Sequence, residues 1–216
     1  MASERVENYL KNIYKLQEAK RKVSTSLLSQ RLQISAASVT EMVKKLSETG
    51  HLKYTPYQGV ELTEYGRRKA LRIIRRHRLW EVFLVEVLKY RWDEIDEEAE
   101  RLEHITSEKL EKRLDGMLGY PTKDPHGDAI PSFDGKVADM RNTSLANIKP
   151  GRVVLVSRVS DASPEILQYA TKLGISLGKK VRVKQQIQFD GSLQVEIGGK
   201  ERFVSAKLAE NIFVES

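Results

Sequence analysis

Residues 25–62 read TSLLSQRLQISAASVTEMVKKLSETGHLKYTPYQGVEL, and the elements predicted along this stretch decide the fold of the first part of the chain. Thr25 or Ser26 can cap a short helix that runs through Arg31. After a turn at Gln33-Ile34-Ser35, apolar side chains recur at the spacing of a further helix, at Val39, Met42, Val43 and Leu46. The Thr49-Gly50 pair ends that helix, because glycine accepts the backbone conformation that follows a helix end.

A β-hairpin is predicted next. Leu52–Thr55 and Val60–Leu62 are extended segments, and the intervening Pro56-Tyr57-Gln58-Gly59 is typical of a turn. Upstream, apolar residues at helical spacing predict an amphipathic helix over residues 3–20. The order helix, helix, turn, helix, hairpin predicts a winged helix-turn-helix domain.

The rest of the chain divides into a helical part and a β-rich part. Thr63 can cap a long helix reaching about Tyr90, and Asp93 opens an acidic helix. A third helix is predicted from Ser107 to about Gly119, followed by loop and linker over residues 120–151. Beyond Gly151, short alternating segments predict strands around one helix, Ser163–Leu173, which favours an SH3-like barrel.

These elements predict a mainly α chain with a small β domain. The predicted segments are a winged helix-turn-helix over residues 1–66, a helical domain over 67–140, a linker over 141–150 and the SH3-like domain over 151–216. Long helices with apolar faces and no sheet to cover them would leave hydrophobic surface exposed in a monomer. We therefore expect the helical domain to form a homodimer.

Composition narrows the classes of protein. Cysteine is absent from the 216 residues, which excludes disulfides, thiolate metal sites and cysteine nucleophiles and fits a cytoplasmic protein. No apolar run approaches the roughly 20 residues of a membrane span, and the first residues lack the apolar core of a signal peptide. No membrane partner is expected.

The formal net charge of +7 is unevenly distributed. Residues 1–92 hold 19 basic against 9 acidic side chains, residues 93–140 hold 6 against 14, and residues 141–216 hold 12 against 7. A basic first part favours a polyanionic partner such as double-stranded DNA. The acidic middle part favours bound cations.

The acidic run Asp96-Glu97-Glu98-Ala99-Glu100-Arg101-Leu102-Glu103-His104 predicts a metal site. On a helix, Asp96, Glu100, Glu103 and His104 share one face. Carboxylates crowded in this way repel one another unless a cation lies among them. His77 and Glu81 form a second pair at i and i+4 on the preceding helix. Oxygen-rich ligation with imidazole and no thiolate suits Mn²⁺ or Fe²⁺. Spacing alone is equally compatible with a solvated acidic face.

Several motifs together resemble one known family. They are Glu7-Asn8-Tyr9-Leu10-Lys11-Asn12-Ile13-Tyr14, Ser35-Ala36-Ala37-Ser38-Val39-Thr40, Leu62-Thr63-Glu64-Tyr65-Gly66-Arg67, His77-Arg78-Leu79-Trp80-Glu81, the run from Glu97 to His104, and Asp124-Pro125-His126-Gly127-Asp128-Ala129-Ile130-Pro131. In this order and spacing they resemble the diphtheria-toxin-repressor family of metal-dependent transcriptional regulators, in its manganese-regulator-like, three-domain form.

The resemblance implies a homodimeric repressor that binds operator DNA when Mn²⁺ or Fe²⁺ is bound, and that controls genes of metal-ion homeostasis. It also implies that residues 67–140 are the metal-binding and dimerisation domain and that residues 151–216 are FeoA-like. By motif position, Asn8 joins Glu100, Glu103 and His104 in a primary metal site, whereas His77, Glu81 and Asp96 match an ancillary site.

Manganese is favoured over iron, because Glu100 stands where iron-responsive members usually have cysteine. Two residues depart from the pattern of manganese members: Asn8 stands where aspartate is common, and Lys11 stands where some two-metal members have glutamate. The ammonium of Lys11 argues against that two-metal arrangement. Glu165 or Gln168 can lend a ligand to the ancillary site, although a plain helix start is the simpler interpretation.

DNA contact is expected from the exposed start of the reading helix and from the wing. The candidates are Ser35, Ala37, Ser38, Thr40, Glu41, Lys44, Lys45 and Tyr57. Ser35 and Ser38 can also cap the helix, and the two roles are compatible. His51 and His126 are both expected to be surface residues.

Two other classes of function remain possible from the sequence. Glu100-x-x-Glu103-His104 approximates the His-x-x-Glu-His motif of inverted zinc proteases, but a carboxylate replaces the first histidine, so we do not expect an enzyme. A winged-helix regulator that responds to a small molecule rather than to metal is the other alternative, and it predicts no metal dependence of DNA binding.

Overall fold

A computed structural model describes residues 4–19, 22–55, 58–140 and 143–215, and it confirms the predicted fold class. The helices are α1 (Glu4–Glu18), α2 (Thr25–Leu32), α3 (Ala36–Glu48), α4 (Glu64–Glu86), α5 (Asp96–Ile105), α6 (Glu108–Met117), α7 (Pro164–Lys172) and α8 (Ala206–Glu210). The strands are β1 (Leu52–Thr55), β2 (Gly59–Leu62), β3 (Thr143–Ser144), β4 (Val153–Val159), β5 (Lys180–Gln186), β6 (Leu193–Ile197), β7 (Lys200–Val204) and β8 (Ile212–Glu215).

The chain forms two compact units. The first comprises residues 1–77, 100–112 and 131–137, and the second comprises residues 78–99, 113–130 and 138–216. Helices α4, α5 and α6 each contribute residues to both units. No helix of the described residues has both the length and the apolar character needed to cross a bilayer.

The first unit contains the winged helix-turn-helix. Tyr9 and Ile13 of α1 pack with Leu28 of α2 and with Val39 and Val43 of α3 in one buried cluster. These are the apolar positions at helical spacing, so the core forms because each helix turns its apolar face inward. Strands β1 and β2 pair antiparallel as the predicted wing, while Pro56 and Tyr57 of its turn lie outside the described residues.

The caps of the short helices differ in one detail from the prediction. Ser24 caps α2, with its side chain accepting the backbone N–H of Leu27, so Thr25 is the first helical residue and neither Thr25 nor Ser26 is the cap. Ser24, Thr25 and Ser26 all carry hydroxyl groups, and Ser24 is the cap because its backbone has the extended conformation that a cap residue needs. Ser35 caps α3 as expected.

The wing and α3 are fixed to the start of α4. The Thr63 hydroxyl donates towards the carbonyls of Gly50 and His51 and accepts the N–H of Gly66. The prediction that His51 is a surface residue is wrong, because its ring is buried between Thr49 (2.9 Å from Nδ1) and the Lys69 ammonium (3.1 Å from Nε2). Burial and the charge of Lys69 lower the pKa of His51.

The long helices begin and end a few residues from the predicted limits. Helix α4 ends at Glu86 rather than near Tyr90, since the N–H groups of Val87 and Leu88 both bond to the Phe83 carbonyl and Lys89 has φ of 61°. The acidic helix opens at Asp96 rather than at Asp93, whose carboxylate instead accepts two hydrogen bonds from the Arg91 guanidinium.

The second unit contains a six-stranded antiparallel sheet in the order β3-β8-β4-β5-β6-β7. Its buried face carries alternating apolar residues such as Val154, Val156, Val181 and Val183. The sequence pattern did not indicate β3, α8 or β8. Strand β8 lies between β3 and β4, next to the edge of the sheet, and it pairs with one side of β4 while β5 pairs with the other.

We expect Gly66→Ala to destabilise the protein, because a Cβ at this position would lie 1.9 Å from the His51 carbonyl oxygen. Overpacking of this kind costs roughly 1–3 kcal/mol or more in unfolding free energy, measurable by thermal or urea unfolding.

The matched control is Gly116→Ala, another helical glycine, whose Cβ would meet only ordinary contacts at 3.5 Å or more. This control should be neutral or should gain up to about 1 kcal/mol from helix propensity. Equal stability of the two variants would contradict the close approach at Gly66.

Candidate metal centre

Glu103 of α5 is the most enclosed acidic side chain of the candidate site, with 0% exposure. Its Oε1 accepts a hydrogen bond from the Lys11 ammonium at 2.7 Å, and its Oε2 lies 2.6 Å from His77 Nδ1. A carboxylate only accepts, so Nδ1 of His77 carries the proton. Burial alone would raise the pKa of Glu103, but His77 and Lys11 hold it below its usual value. Glu103 is therefore an anion with a donor on each oxygen.

Lys11 of α1 lies inside this group of acidic side chains. Its ammonium is buried and also donates to Glu100, so it bridges Glu100 and Glu103 of α5. Burial works to lower the pKa of Lys11, but Glu103 and Glu100 raise it. The departure noted in the sequence thus places a positive charge in the candidate primary site.

His104 is held in a defined tautomer by Glu7. Its Nδ1 lies 2.6 Å from Glu7 Oε2, which puts the proton on Nδ1 and the lone pair on Nε2. Nε2 is buried without a hydrogen bond, 3.4 Å from Glu103 Oε1 and 4.0 Å from Glu100 Oε1. A carboxylate behind an imidazole is the usual support of a metal-ligating histidine.

Glu7 was not among the site residues predicted from the sequence. A signal was present, because Glu7 and Lys11 are spaced i and i+4 on α1 and so share the face that carries Lys11 to Glu103. The pairing with His104 joins residues 97 positions apart, and no local pattern reveals it.

Asn8 supplies a further buried donor atom. Its side-chain Oδ1 is buried and has no hydrogen-bond partner, which is costly for an amide oxygen unless it has another ligand. Within the described residues, ligand atoms of His77, Glu100 and Glu103 lie within 4.8 Å of one another. Amide oxygen, carboxylates and imidazole nitrogen are the donor set of Mn²⁺ or Fe²⁺, so these residues fit the expected ion.

The predicted ancillary set draws on both units. His77 belongs to the first unit, whereas Glu81 and Asp96 belong to the second. Glu81 is buried, and Asp96 is an exposed residue at the start of α5. Their joint role as ligands stays a prediction.

A second acidic cluster lies wholly within the second unit. Ligand atoms of Glu81, Asp124 and His126 come within 4.8 Å of one another, and all three side chains are buried. His126 Nε2 donates to the Trp92 carbonyl at 2.8 Å, so in the neutral ring the lone pair is on Nδ1. Nδ1 has no hydrogen bond and lies 3.7 Å from Glu81 Oε1. The prediction that His126 is a surface residue is therefore wrong.

Two groups of this cluster, Asp124 and His126, have pKa values above their usual ones. Burial, Glu81 and Asp128 raise the pKa of Asp124 to about 7, although Arg78 opposes the shift. Burial would lower the pKa of His126, but the charges of Glu81 and Asp124 raise it. A divalent cation that binds to such groups can displace the protons that they hold near neutral pH.

The loop geometry explains why the sequence did not reveal this cluster. Asp124 Oδ1 accepts the backbone N–H groups of His126 and Asp128, forming a tight turn, and the His126 carbonyl accepts the N–H of Val159. A Cβ at Gly127 would lie 2.2 Å from the Ser157 carbonyl. Packing against β4 buries the loop, whereas its Pro/Gly composition is typical of an exposed one.

The two candidate ligands of the β-rich part are exposed. Glu165 and Gln168 lie on α7, where Pro164 is the first helical residue, and Ser163 lowers the pKa of Glu165 by a hydrogen bond. Their role as ligands stays a prediction.

The candidate DNA contacts occupy the exposed start and outer face of α3. Ser35, Ala37, Glu41, Lys44 and Lys45 are exposed, and Ser38 and Thr40 are half-buried. Thr40 donates its hydroxyl to the Ala36 carbonyl, so it offers only acceptor capacity outward. Tyr57 lies outside the described residues.

Family models match almost the whole chain. Residues 1–60 match the N-terminal DNA-binding domain of iron-dependent repressors, residues 63–132 match their metal-binding and dimerisation domain, and residues 143–216 match the FeoA domain. The iron-dependent repressor IdeR of Mycobacterium leprae is 30% identical over 205 residues, which cover 90% of this chain and 89% of that protein. The diphtheria toxin repressor of Corynebacterium glutamicum is 27% identical, with coverage of 97% and 95%.

Solved structures give the same result. A manganese-dependent transcriptional repressor in complex with manganese is 42% identical, with a TM-score of 0.91 and coverage of 97% of this chain and 99% of that one. The repressor ScaR with bound Cd²⁺ is 35% identical, with a TM-score of 0.83 and coverage of 97% and 98%. The chain therefore belongs to the iron-dependent repressor family of metal-dependent transcriptional repressors, which are DNA-binding regulators and not enzymes.

Proposed function

We propose that this repressor binds operator DNA as a homodimer when Mn²⁺, or less favourably Fe²⁺, is held by Asn8, Glu100, Glu103 and His104. The observation that carries the proposal is His104 Nε2, a buried atom without a hydrogen bond that lies 3.4 Å from Glu103 Oε1 and 4.0 Å from Glu100 Oε1. Asn8 Oδ1 is likewise buried without a hydrogen bond, which supports its proposed role as a ligand. A buried polar atom in this state requires a partner, and a bound ion is one partner that supplies it.

Manganese is the proposed ion because of the donor types. Three of the four proposed ligands supply oxygen and none supplies sulfur, which suits a hard cation. The similarity in sequence and fold to manganese-dependent repressors supports the same choice. Control of genes of metal-ion homeostasis follows as the proposed physiological role.

The mechanism depends on the first turns of α1. Glu7 of α1 is hydrogen-bonded to His104 of α5, so two helices meet at the proposed centre, and Asn8 follows Glu7 on α1 with a buried amide oxygen that has no hydrogen bond. A bound divalent cation supplies the positive charge and the coordination that keep these donors together. Tyr9 and Ile13 of the same helix belong to the buried cluster that also contains Val39 and Val43 of α3, so α1 and the reading helix share one core.

The proposed DNA-reading surface is the start of α3 with the wing. Ser35, Ala37, Ser38, Thr40 and Glu41 are the proposed base contacts, and Lys44, Lys45 and Tyr57 are the proposed phosphate contacts. Short side chains make single hydrogen bonds or contact thymine methyl groups, so DNA shape contributes to specificity. The exposed lysines and the basic first part of the chain support phosphate contact.

Homodimerisation is proposed through the helical segment over residues 67–140. Exposed large apolar side chains of this segment support it, namely Val87, Leu88, Tyr90, Ile105, Leu110, Met117 and Tyr120. Such residues are typical of surfaces that another subunit covers. We also propose the ancillary site of His77, Glu81 and Asp96, and the domain limits 1–66, 67–140, 141–150 and 151–216.

The cluster of Glu81, Asp124 and His126 is proposed as an additional cation site. Three buried groups of this kind, two of them with raised pKa values, resemble a site that exchanges protons for a divalent ion. Glu81 belongs to this cluster and to the proposed ancillary set.

The first test is operator binding. We expect Mn²⁺ to raise the affinity for the upstream region of a metal-transporter gene by about 5- to 150-fold relative to a chelator, with Fe²⁺ and Zn²⁺ measured alongside. His104→Ala should abolish this increase, because it removes a ligand without burying a new charge. Electrophoretic mobility shifts or fluorescence anisotropy provide the measurement.

Glu97→Gln is the matched control, because Glu97 lies on the exposed side of the same helix. It should respond to Mn²⁺ as the wild type does. Metal-independent binding by the wild type would favour a small-molecule regulator, and a retained response in His104→Ala would remove His104 from the site.

A second test concerns the carboxylate behind His104. Glu7→Gln should weaken Mn²⁺ binding by about tenfold or more, because the imidazole loses the anion that fixes its tautomer. Isothermal titration calorimetry measures the change. Glu4→Gln, one turn earlier on α1, serves as the control and should leave the affinity unaltered.

The third test is the pH dependence of the additional cation site. Because the pKa of Asp124 is about 7, a proton opposes metal binding below that pH and is absent above it. Affinity at this site should therefore rise by up to about tenfold per unit between pH 6 and 7 and level off near pH 8.

Metal analysis after equilibrium dialysis provides the measurement. Asp124→Asn should remove one ion per chain, whereas Asp128→Asn, at the partly exposed neighbour in the same loop, should not. An unaltered ion count in Asp124→Asn would refute the site.

A further inference from the structure

Lys11 occupies the position that a cation would be expected to take. Its ammonium donates to Glu100 and to Glu103 Oε1, and the side chain is only 4% exposed. Glu103 Oε1 is also the carboxylate atom nearest to His104 Nε2, at 3.4 Å. One oxygen is thus shared between the ammonium and the imidazole proposed as a ligand.

The Lys11 ammonium offsets the repulsion between Glu100 and Glu103 when no metal ion is bound. Glu100 and Glu103 are adjacent on one helix face, and Glu103 has no access to water. Two such carboxylates without a counter-charge would repel each other and disfavour the folded state. Lys11 supplies that counter-charge from α1, so α1 is held to α5 without a bound ion.

We propose that Lys11 is a tethered counter-cation that stabilises the metal-free protein and competes with the activating ion for Glu100 and Glu103. The inference deepens the proposed function and rests on it. Lys11 thereby sets the concentration of Mn²⁺ at which the repressor responds.

Charge balance supports this role. Glu7, Glu100 and Glu103 with Lys11 carry a net charge of −2 when both imidazoles are neutral, which one divalent ion neutralises. Without the ammonium the same group carries −3 and attracts a dication more strongly. The lysine therefore lowers metal affinity and, by the same interaction, raises the stability of the metal-free state.

The test compares Lys11→Met with Lys11→Arg and with Lys15→Met, which makes the same change one turn further along α1. In a chelator, Lys11→Met should unfold about 5–15 °C below the wild type, because it removes the ammonium from the buried carboxylate of Glu103 and from the partly exposed carboxylate of Glu100. Lys11→Arg should restore most of the stability, and Lys15→Met should be close to wild type.

The affinity for Mn²⁺ is a second measurement, and it should not increase if Lys11 acts only by packing. Calorimetric titration should give a Kd for Mn²⁺ about 10- to 100-fold lower in Lys11→Met than in the wild type. Operator binding should then require correspondingly less Mn²⁺. An unchanged or weakened affinity in Lys11→Met overturns the proposal.

The double variant Lys11→Met/Glu100→Gln tests the proposal even if Lys11→Met alone folds poorly. Removing one carboxylate with the ammonium relieves the repulsion, so in a chelator the double variant should be more stable than Lys11→Met alone. Equal or lower stability would mean that Lys11 acts by packing and would overturn the proposal.

The outcomes also separate this inference from the proposed function. If neither the wild type nor Lys11→Met binds Mn²⁺, the proposed metal centre is wrong and the competition has no basis. If both bind Mn²⁺ with the same affinity, the metal centre stands and only the role of Lys11 is overturned.

Discussion

The buried carboxylate of Glu103 is the constraint on which the candidate metal centre depends. A charge without access to water must be matched by donors, and here they come from Lys11 of α1 and His77 of α4. His104 Nε2 lies nearby on the same helix as Glu103. Residues of three helices, α1, α4 and α5, therefore meet at Glu103. A change in the charge around Glu103 alters its ion pair with Lys11 and so acts on α1.

Helix α1 is linked to the reading helix through a shared core. Tyr9 and Ile13 of α1 lie in the same buried cluster as Val39 and Val43 of α3, and close-packed cores transmit displacement rather than absorb it. Thr63 and Gly66 fix the far end of α3 and the wing to α4 by hydrogen bonds and by a close backbone approach. The winged domain is therefore held at both ends.

The two acidic clusters solve the same electrostatic problem in different ways. Around Glu103 the chain provides its own ammonium, and the carboxylate stays ionised. Around Asp124 the chain relies on protons, with the pKa of this carboxyl raised to about 7. In both places a divalent cation would replace a charge already present, so metal binding is an exchange and not an addition to an empty cavity.

Local pattern was enough for the fold class and for the face of α5 that carries Glu100, Glu103 and His104, although it did not indicate β3, α8 or β8. Helical spacing, caps and turn residues depend only on residues a few positions apart, so they can be identified from the sequence. The resemblance to a known family added Asn8. Tertiary structure alone decided that Glu7 supports His104, that Lys11 enters the acidic group, and that His126 is buried beside Glu81. These contacts join residues far apart in sequence, and burial set by distant packing fixes their charge states, so no short-range pattern can encode them.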